Sequence, residues 1–516
     1  MNKLAKSTIF LVVVMFLAKI ISFGKDLCLS YQYGASNISD AYLVAVNIPT
    51  VLFSGIVTAV FTCYIPVYNE IKGKKPEYVN KFNSNIVNVI AVLSVFLVIL
   101  YWIFPEQIIN LFVSGFNEEN FQLTVSMSKI MVLAMIFMAV SCVLQGYLQA
   151  NGCFYLVGMM TIPTNLIMAF TIMLSDAEHL EIMIWGTVLA YAIYLPYFFI
   201  PAYKKGFRYV PYIKLKDEYL KKLLTMIIPI FIGQMILEIN VIVDKNFASG
   251  LEAGSITGLD YAYKVAMLIQ ATAAASISTV IYPKFSEQVV SQKITELKKT
   301  LSVSLNIVII CVIPLVIGMC VLAYPIIQLL FFRGAFSERA LQITAESLIC
   351  YSIGMLPIAL RTIMEKVFYA YQETKIPMLN SAIGILSNII LDILLVPNIK
   401  HCGLALATSI SSFITYIIFY IKLRKKIGGF GAKRMFVTVG KVGIAGGIMG
   451  IIVWMMKEAL FVVMGNGTLQ LMGSIISLTL VGMVIYIVLL FIFRQQEALI
   501  LKNYIIKRMK KRIKIG

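Results

Sequence analysis

Charge is what this sequence has least of. Only 13% of its 516 residues are Asp, Glu, Lys or Arg, against about 25% in an ordinary soluble domain. With 60% hydrophobic residues, a soluble fold would have too little polar surface to cover its apolar bulk, which excludes that class. Histidine is almost missing: the two residues, His179 and His401, are both expected in loops, which argues against a histidine-built metal site. The eight cysteines include no Cys-x-x-Cys pair and fall mostly inside apolar runs. They read as small packing residues, not as disulfides or metal ligands. No G-x-x-x-x-G-K-[ST] loop occurs, and Gly440-Lys441 lacks its context, so nothing here resembles an ATPase. A membrane-embedded glycosyltransferase or polymerase would need a carboxylate on a substantial outer loop, and no such loop is present.

What the chain has instead is apolar runs of roughly 20 residues, the length that crosses a bilayer. Each has to be helical, because backbone polar groups in lipid must be satisfied within the segment. The reading is an all-α polytopic membrane protein with about fourteen transmembrane helices. They are expected near 7–33, 38–69, 82–104, 121–150, 153–175, 180–203, 218–248, 256–286, 297–332, 338–372, 376–397, 402–424, 434–460 and 468–493. The first run does not read as a signal peptide, since it continues past Lys19 to about Tyr33 without a small-residue cleavage site.

Alternate connections are basic. Lys72 to Lys81, Lys204 to Lys222, Lys284 to Lys299, Lys375, Lys422 to Arg434 and the tail from Arg494 hold most of the 44 Lys and Arg residues. The other connections carry Glu106, Glu118, Glu119, Asp176, Glu178, Glu181 and Glu252. By the positive-inside rule this asymmetry puts both termini in the cytoplasm. It also accounts for the net charge of +19 through topology and anionic lipid, without nucleic acid. The tail, which alternates basic and apolar residues from Lys502 to Lys514, is expected on the inner leaflet.

Three motifs recur in order, roughly 220 residues apart. Tyr64-Ile-Pro66 with Glu70 matches Tyr282-Pro283 with Glu287. Pro105 to Phe112, followed by Gly115-Phe116, matches Pro325 to Phe331, followed by Gly334 and Phe336. Tyr147 and Gln149 match Tyr371-Gln372. The expected organisation is an N-terminal six-helix bundle (1–210), a C-terminal six-helix repeat of it (211–428), two further helices (429–496) and the basic tail (497–516). Repeats of this kind are a plan of secondary transporters, which hold substrate between the halves.

Ionisable residues inside spans cost about 2.5–3.5 kcal/mol each even on the mildest scale, so they are functional candidates. Lys19, Lys25, Lys264 and Arg361 come from both repeats. If they face one cavity, its ligand is an anion such as a phosphate or diphosphate. The plainer alternatives are local: Lys25 with Asp26, Arg361 with Glu365 four residues on, and Lys245 or Lys441 reaching for an interface. A second set offers only oxygens. Asn388 and Asp392 share a helix face, and with Thr408 and Asp244 they would suit a hard cation such as Na⁺, or a proton on Asp. Transport would then draw on an ion gradient, the membrane potential or substrate supply.

Several stretches carry a resemblance. Lys19-Ile-Ile-Ser-Phe-Gly-Lys25-Asp26, Tyr33-Gly-Ala-Ser-Asn-Ile-Ser-Asp40-Ala-Tyr and Ile48-Pro49 are similar to the opening of the MurJ lipid II flippases. These belong to the mouse-virulence-factor branch of the multidrug/oligosaccharidyl-lipid/polysaccharide exporter superfamily. Phe332-Arg-Gly-Ala-Phe336, Val367-Phe-Tyr-Ala-Tyr-Gln-Glu-Thr-Lys-Ile-Pro377 and Gly403-Leu-Ala-Leu-Ala-Thr408-Ser resemble the same family. The resemblance implies a V-shaped pair of bundles in the bacterial cytoplasmic membrane. These would move an undecaprenyl-diphosphate-linked sugar by alternating access, with the lipid tail along helices 13 and 14. It implies substrate contacts at Lys19, Lys25 and Lys264, an acidic pair at Asp26 and Asp40, and a sodium site at Asp244, Asn388, Asp392 and Thr408 with the Leu404 carbonyl. The chain departs from the family in having lysine where arginine is usual on helices 1 and 8. It also has Thr50-Val51-Leu52-Phe53-Ser54 where helix 2 usually carries an arginine. A flippase for another undecaprenyl-linked oligosaccharide and a drug/cation antiporter of the superfamily remain alternatives. The expected partners are the lipid-linked glycan, anionic lipids and cell-wall synthesis proteins, with the chain acting as a monomer, with no organic cofactor and with Na⁺ as a coupling ion.

Overall fold

The computed structural model describes the backbone of residues 3–464 and 467–495, and side chains within 14–270, 281–461 and 467–495. The expected inner-leaflet tail, 497–516, lies outside the described residues. Every regular element among the described residues is helical. In chain order they are α1 (Lys3–Tyr33), α2 (Asn37–Lys74), α3 (Val79–Ile103), α4 (Pro105–Val113), α5 (Glu118–Met131) and α6 (Ala134–Ala150). There follow α7 (Phe154–Met159), α8 (Thr161–Leu174), α9 (Glu181–Ala192), α10 (Tyr194–Lys204), α11 (Glu218–Ser249) and α12 (Ser255–Val290). The last six are α13 (Ile294–Val321), α14 (Ala323–Phe331), α15 (Glu338–Ala370), α16 (Lys375–Ile427), α17 (Ala432–Met464) and α18 (Thr468–Ile492).

Ten helices among the described residues are long and apolar enough to cross a membrane, or eleven if the bent pair α5–α6 is one span. This falls short of the expected fourteen. One reason is that α16, with 53 residues, merges two expected helices across a break at Ile399 and Lys400, where Lys400 turns to φ 50°. At about 1.5 Å per residue, it is far longer than one crossing requires.

Most other breaks have a proline behind them. A proline ring collides with the carbonyl four residues earlier and removes a hydrogen bond. Pro163 stands four residues after Met159, where α7 ends; Pro196 four after Ala192, where α9 ends; Pro325 four after Val321, where α13 ends. Pro105 opens α4 at its first position, where the missing N–H costs nothing. The 41° bend between α5 and α6 has no proline near it, and nothing in the sequence marks it.

The matched stretches after Pro105 and around Pro325 both become nine-residue helices, α4 and α14, each following a long helix across a one-residue break. Two compact units make up the chain. The first holds 1–257 and 333–337, the second 258–332 and 338–516. The first unit therefore reaches past the 210/211 repeat boundary, because α11 packs along α2. In the second unit α17 and α18 pack on each other, and α17 also packs on α13.

Within the first unit, the turn after α1 receives two loops at backbone distance. Ala335 N–H donates to the Tyr31 carbonyl at 2.9 Å, and a Cβ at Gly334 (φ +59°) would lie 2.1 Å from that oxygen. Gly254 (φ +84°) would place a Cβ 2.3 Å from the Ala35 carbonyl oxygen. Two of the stretches that carry the resemblance, around Gly34 and around Gly334, are thus in contact. Gly334→Ala is expected to lower the melting temperature of the detergent-solubilised protein well beyond Gly152→Ala. Gly152 has φ +80° but open space around it, so alanine there bears only backbone strain of about 1–2 kcal/mol. Equal losses for the two variants would contradict the close approach.

Candidate functional site

The sequence-derived site residues fall on both units. On α1, Lys19 is exposed. Lys25 pairs with Asp26 at 2.9 Å, and the Asp26 side chain is only 2% exposed. The plain alternative for Asp26, neutralisation by its neighbour, is therefore realised. On α12, Lys264 pairs with Asp260 one turn earlier at 2.6 Å, both about a third exposed. On α15, Arg361 Nε meets Glu365 at 3.3 Å and its guanidinium reaches Thr415 Oγ1 at 3.4 Å. Lys25, Lys264 and Arg361 thus each have an anion beside them, while Lys19 is exposed.

Asp40 has the fullest set of partners. It sits in the first turn of α2, behind the Ser36–Ser39 capping box. Its carboxylate accepts from Gly254 N–H at 2.7 Å, Thr257 N–H at 2.8 Å and the Thr257 hydroxyl at 2.6 Å. Gly254 immediately precedes α12 and Thr257 lies in its first turn, where N–H groups have no partner within the helix and a carboxylate is favoured by the helix dipole. Asp40 is a remote cap. Asp40→Ala is expected to lower thermal stability by about 2–3 kcal/mol, because buried N–H groups would be stranded, with Asp40→Asn recovering part of it. An alanine variant that melts like wild type but fails in transport would make Asp40 a substrate contact instead.

α11 has buried residues only near its ends and meets α2 partly through polar groups. Ser54 Oγ donates to Glu238 at 2.8 Å, and Lys245 Nζ donates to the Leu43 carbonyl at 3.1 Å. Asn240 donates to Asp244 at 3.1 Å. Beside these contacts, a wholly apolar cleft of about 370 Å³ opens among α2, α3 and α11, lined by Leu52, Ile56, Leu97, Leu224 and Phe231 among others.

Of the expected oxygen ligands, Asp244 lies in the first unit, and Asn388, Asp392, Leu404 and Thr408 in the second. In the second unit Asn388 (3% exposed) and Asp392 (0%) are buried. Their neighbours Leu386, Ile390, Ile393 and Leu394 are exposed, so the polar face of this arm of α16 is its buried one. The Thr408 hydroxyl donates to the Leu404 carbonyl at 3.2 Å. At Gly403 a Cβ would lie 2.8 Å from the Val396 nitrogen, so the two arms of α16 touch at the backbone. Lys441, expected to seek an interface, donates to the Phe493 carbonyl at 2.8 Å, beyond the end of α18.

One expectation is corrected. His401 is not a loop residue: it lies in α16, 7% exposed, with Nε2 3.0 Å from Glu346 Oε2, and Cys402 adjoins the pair. The partner lies 55 positions away on α15, so nothing local announced it; Glu346 and Cys350, four apart on one face, were the available signal. His179 is a loop residue as expected. It donates to Asp176, which holds that carboxyl below its ordinary range.

Residues 29–469 match the family model described as "Lipid II flippase MurJ". A probable lipid II flippase MurJ of Buchnera aphidicola subsp. Schizaphis graminum is 28% identical over 429 residues, covering 82% of this chain and 83% of the relative. One from Thermotoga maritima is 23% identical over 484 residues, covering 93% and 95%. Among solved structures, a lipid II flippase MurJ in an inward closed conformation superposes with a TM-score of 0.80. It is 26% identical and covers 94% of this chain and 98% of its own. An inward-facing multidrug resistance MATE family transporter of the MOP superfamily shares the fold, with a TM-score of 0.62 at 13% identity over 80% of this chain and 94% of its own.

Proposed function

The chain belongs to the lipid II flippase MurJ family, and from that premise we propose that it carries lipid II from the inner to the outer leaflet of the bacterial cytoplasmic membrane by alternating access. It is a multi-span membrane transporter of that family and not an enzyme. The observation that carries the reading is the near-complete superposition on a lipid II flippase at 26% identity.

In this reading Lys19, Lys25, Lys264 and Arg361 attract the substrate's diphosphate, and Asp26 and Asp40 hold the surrounding frame. Lysine offers a point charge without the bidentate fork of arginine, so these positions supply attraction more than geometry. The salt bridges at Lys25, Lys264 and Arg361 keep the cations neutralised within helices until an anion competes for them. The repeats 1–210 and 211–428 move as bundles, and the substrate's tail follows α17 and α18. Both termini lie in the cytoplasm in this reading, which the basic connections support. The carrier works as a monomer, near cell-wall synthesis proteins.

A Na⁺ ion held by Asp244, Asn388, Asp392, Thr408 and the Leu404 carbonyl would reset the carrier. Oxygen-only ligands suit such a hard cation. The membrane potential adds about 2.3 kcal/mol per charge per 100 mV, enough to draw an empty cationic carrier inward.

Lys19→Ala, Lys25→Ala and Lys264→Ala should each cripple growth of cells that depend on this chain, with membrane insertion intact, and arginine at the same positions should restore it. Full growth with all three alanine variants would refute the cationic reading. Asp392→Ala should abolish any Na⁺ dependence of transport; an unchanged Na⁺ response would remove the ion site.

A further inference from the structure

We propose that Glu346, His401 and Cys402, with Cys350 beside them, form a binding site for a borderline-soft divalent metal, Zn²⁺ being the best match. All four belong to the second unit, and none is a substrate or sodium residue in the reading above.

Two helices supply the donors. α15 contributes Glu346 and Cys350, four apart and so on one face. The start of the second arm of α16 contributes His401 and Cys402, directly after the break at Ile399 and Lys400. Donor atoms of Glu346, His401 and Cys402 all lie within 4.8 Å of one another, the closest pair being His401 Nε2 and Glu346 Oε2 at 3.0 Å. Cys350 lies near Cys402, outside the group of three. In a tetrahedral zinc site, with bonds of about 2.0 Å to N and O and 2.3 Å to S, ligand atoms stand roughly 3.3–3.8 Å apart. The observed spread brackets that range, so small side-chain rotations would close the site.

The second layer is already in place. Glu346 Oε1 accepts from Gln342 Nε2 at 2.8 Å and from the Tyr324 hydroxyl at 3.3 Å. Those bonds fix the carboxylate and leave Oε2 turned toward His401, as outer-shell partners do around zinc ligands. His401 and Cys350 are nearly buried, at 7% and 9% exposure, while the Glu346 side chain is 30% exposed, which leaves an entry path.

The donor chemistry selects the metal. A thiolate, an imidazole and a carboxylate favour Zn²⁺ over Na⁺, Mg²⁺ or Ca²⁺, which take oxygen. One carboxylate and one thiolate also cancel the +2 charge, which matters in an apolar surround. A plain His–Glu ion pair would account for the 3.0 Å contact but not for two thiols from two helices at the same spot. Occupancy would clamp α15 to the residues just before Gly403, where the two arms of α16 touch.

The test uses the full chain, purified in detergent, reduced, and titrated with zinc chloride, with bound metal measured after equilibrium dialysis. The expected result is about one zinc per chain, with affinity lowered on the order of a hundredfold in Cys402→Ser and in His401→Ala. Glu346→Gln should also lose affinity while melting like wild type without zinc, which separates a binding loss from misfolding. His179→Ala and Cys311→Ser, remote single changes, should bind as wild type, and Ca²⁺ should not compete. Cys350→Ser distinguishes four protein ligands from three plus water: affinity falls in the first case and holds in the second, and both support the site. No zinc above background, zinc held equally by the Cys402 and His401 variants, or a Cys350–Cys402 disulfide in protein purified without reductant would each overturn it.

Discussion

An ionisable group buried in an apolar helix has to be neutralised where it stands, and much of the polar architecture of this protein follows from that constraint. A charge at the centre of a bilayer costs about 2.5–3.5 kcal/mol on the mildest scale. The chain meets this cost locally: Lys25 with Asp26, Lys264 with Asp260, Arg361 with Glu365. Backbone groups serve as well. Asp40 takes the amides at the start of α12, Lys245 takes the Leu43 carbonyl, and Lys441 takes the Phe493 carbonyl. The three salt bridges lie within single helices, whereas the bonds of Asp40, Lys245 and Lys441 join one element to another.

Much of this was legible from residue order alone. Apolar runs located the long helices, and prolines at 105, 163, 196 and 325 account for breaks that composition could not time. The repeat was readable as motifs, and it reappears as the twin short helices α4 and α14. What was hidden is contact at long separation. Gly334 meets Tyr31 three hundred positions away because both backbones need a residue without a side chain there, and no local pattern reports that. The bend between α5 and α6 has no proline and was invisible. His401 was assigned to a loop because its neighbourhood is polar and ends in Gly403. Its burial depends on Glu346, which only the packing of α15 against α16 reveals. Among the candidate residues, the Lys25–Asp26 and Arg361–Glu365 pairs were legible in the sequence, while Asp40 was legible as an unusual acid and not as a cap.

The fold alone does not set the cargo. A MATE transporter shares it at 13% identity, so what distinguishes this chain is the chemistry placed on the common frame. Lysines stand at Lys19, Lys25 and Lys264, and the first helix-2 turns after Pro49 carry no cation at all. In the proposed reading these lysines would attract a diphosphate without bidentate geometry, which would shift the burden of discrimination toward the sugar and the lipid chain. An apolar cleft beside α11 in the first unit and the buried oxygen-bearing face of α16 in the second show how differently two helices of one chain can be made.

The account stands on lipid II as the cargo. The direct measurement is the amount of lipid II exposed at the outer face of cells depleted of their own lipid II flippase and expressing this chain. The account predicts that exposure returns to the undepleted level. Lipid II retained in the inner leaflet, with the chain inserted at normal abundance, would contradict it.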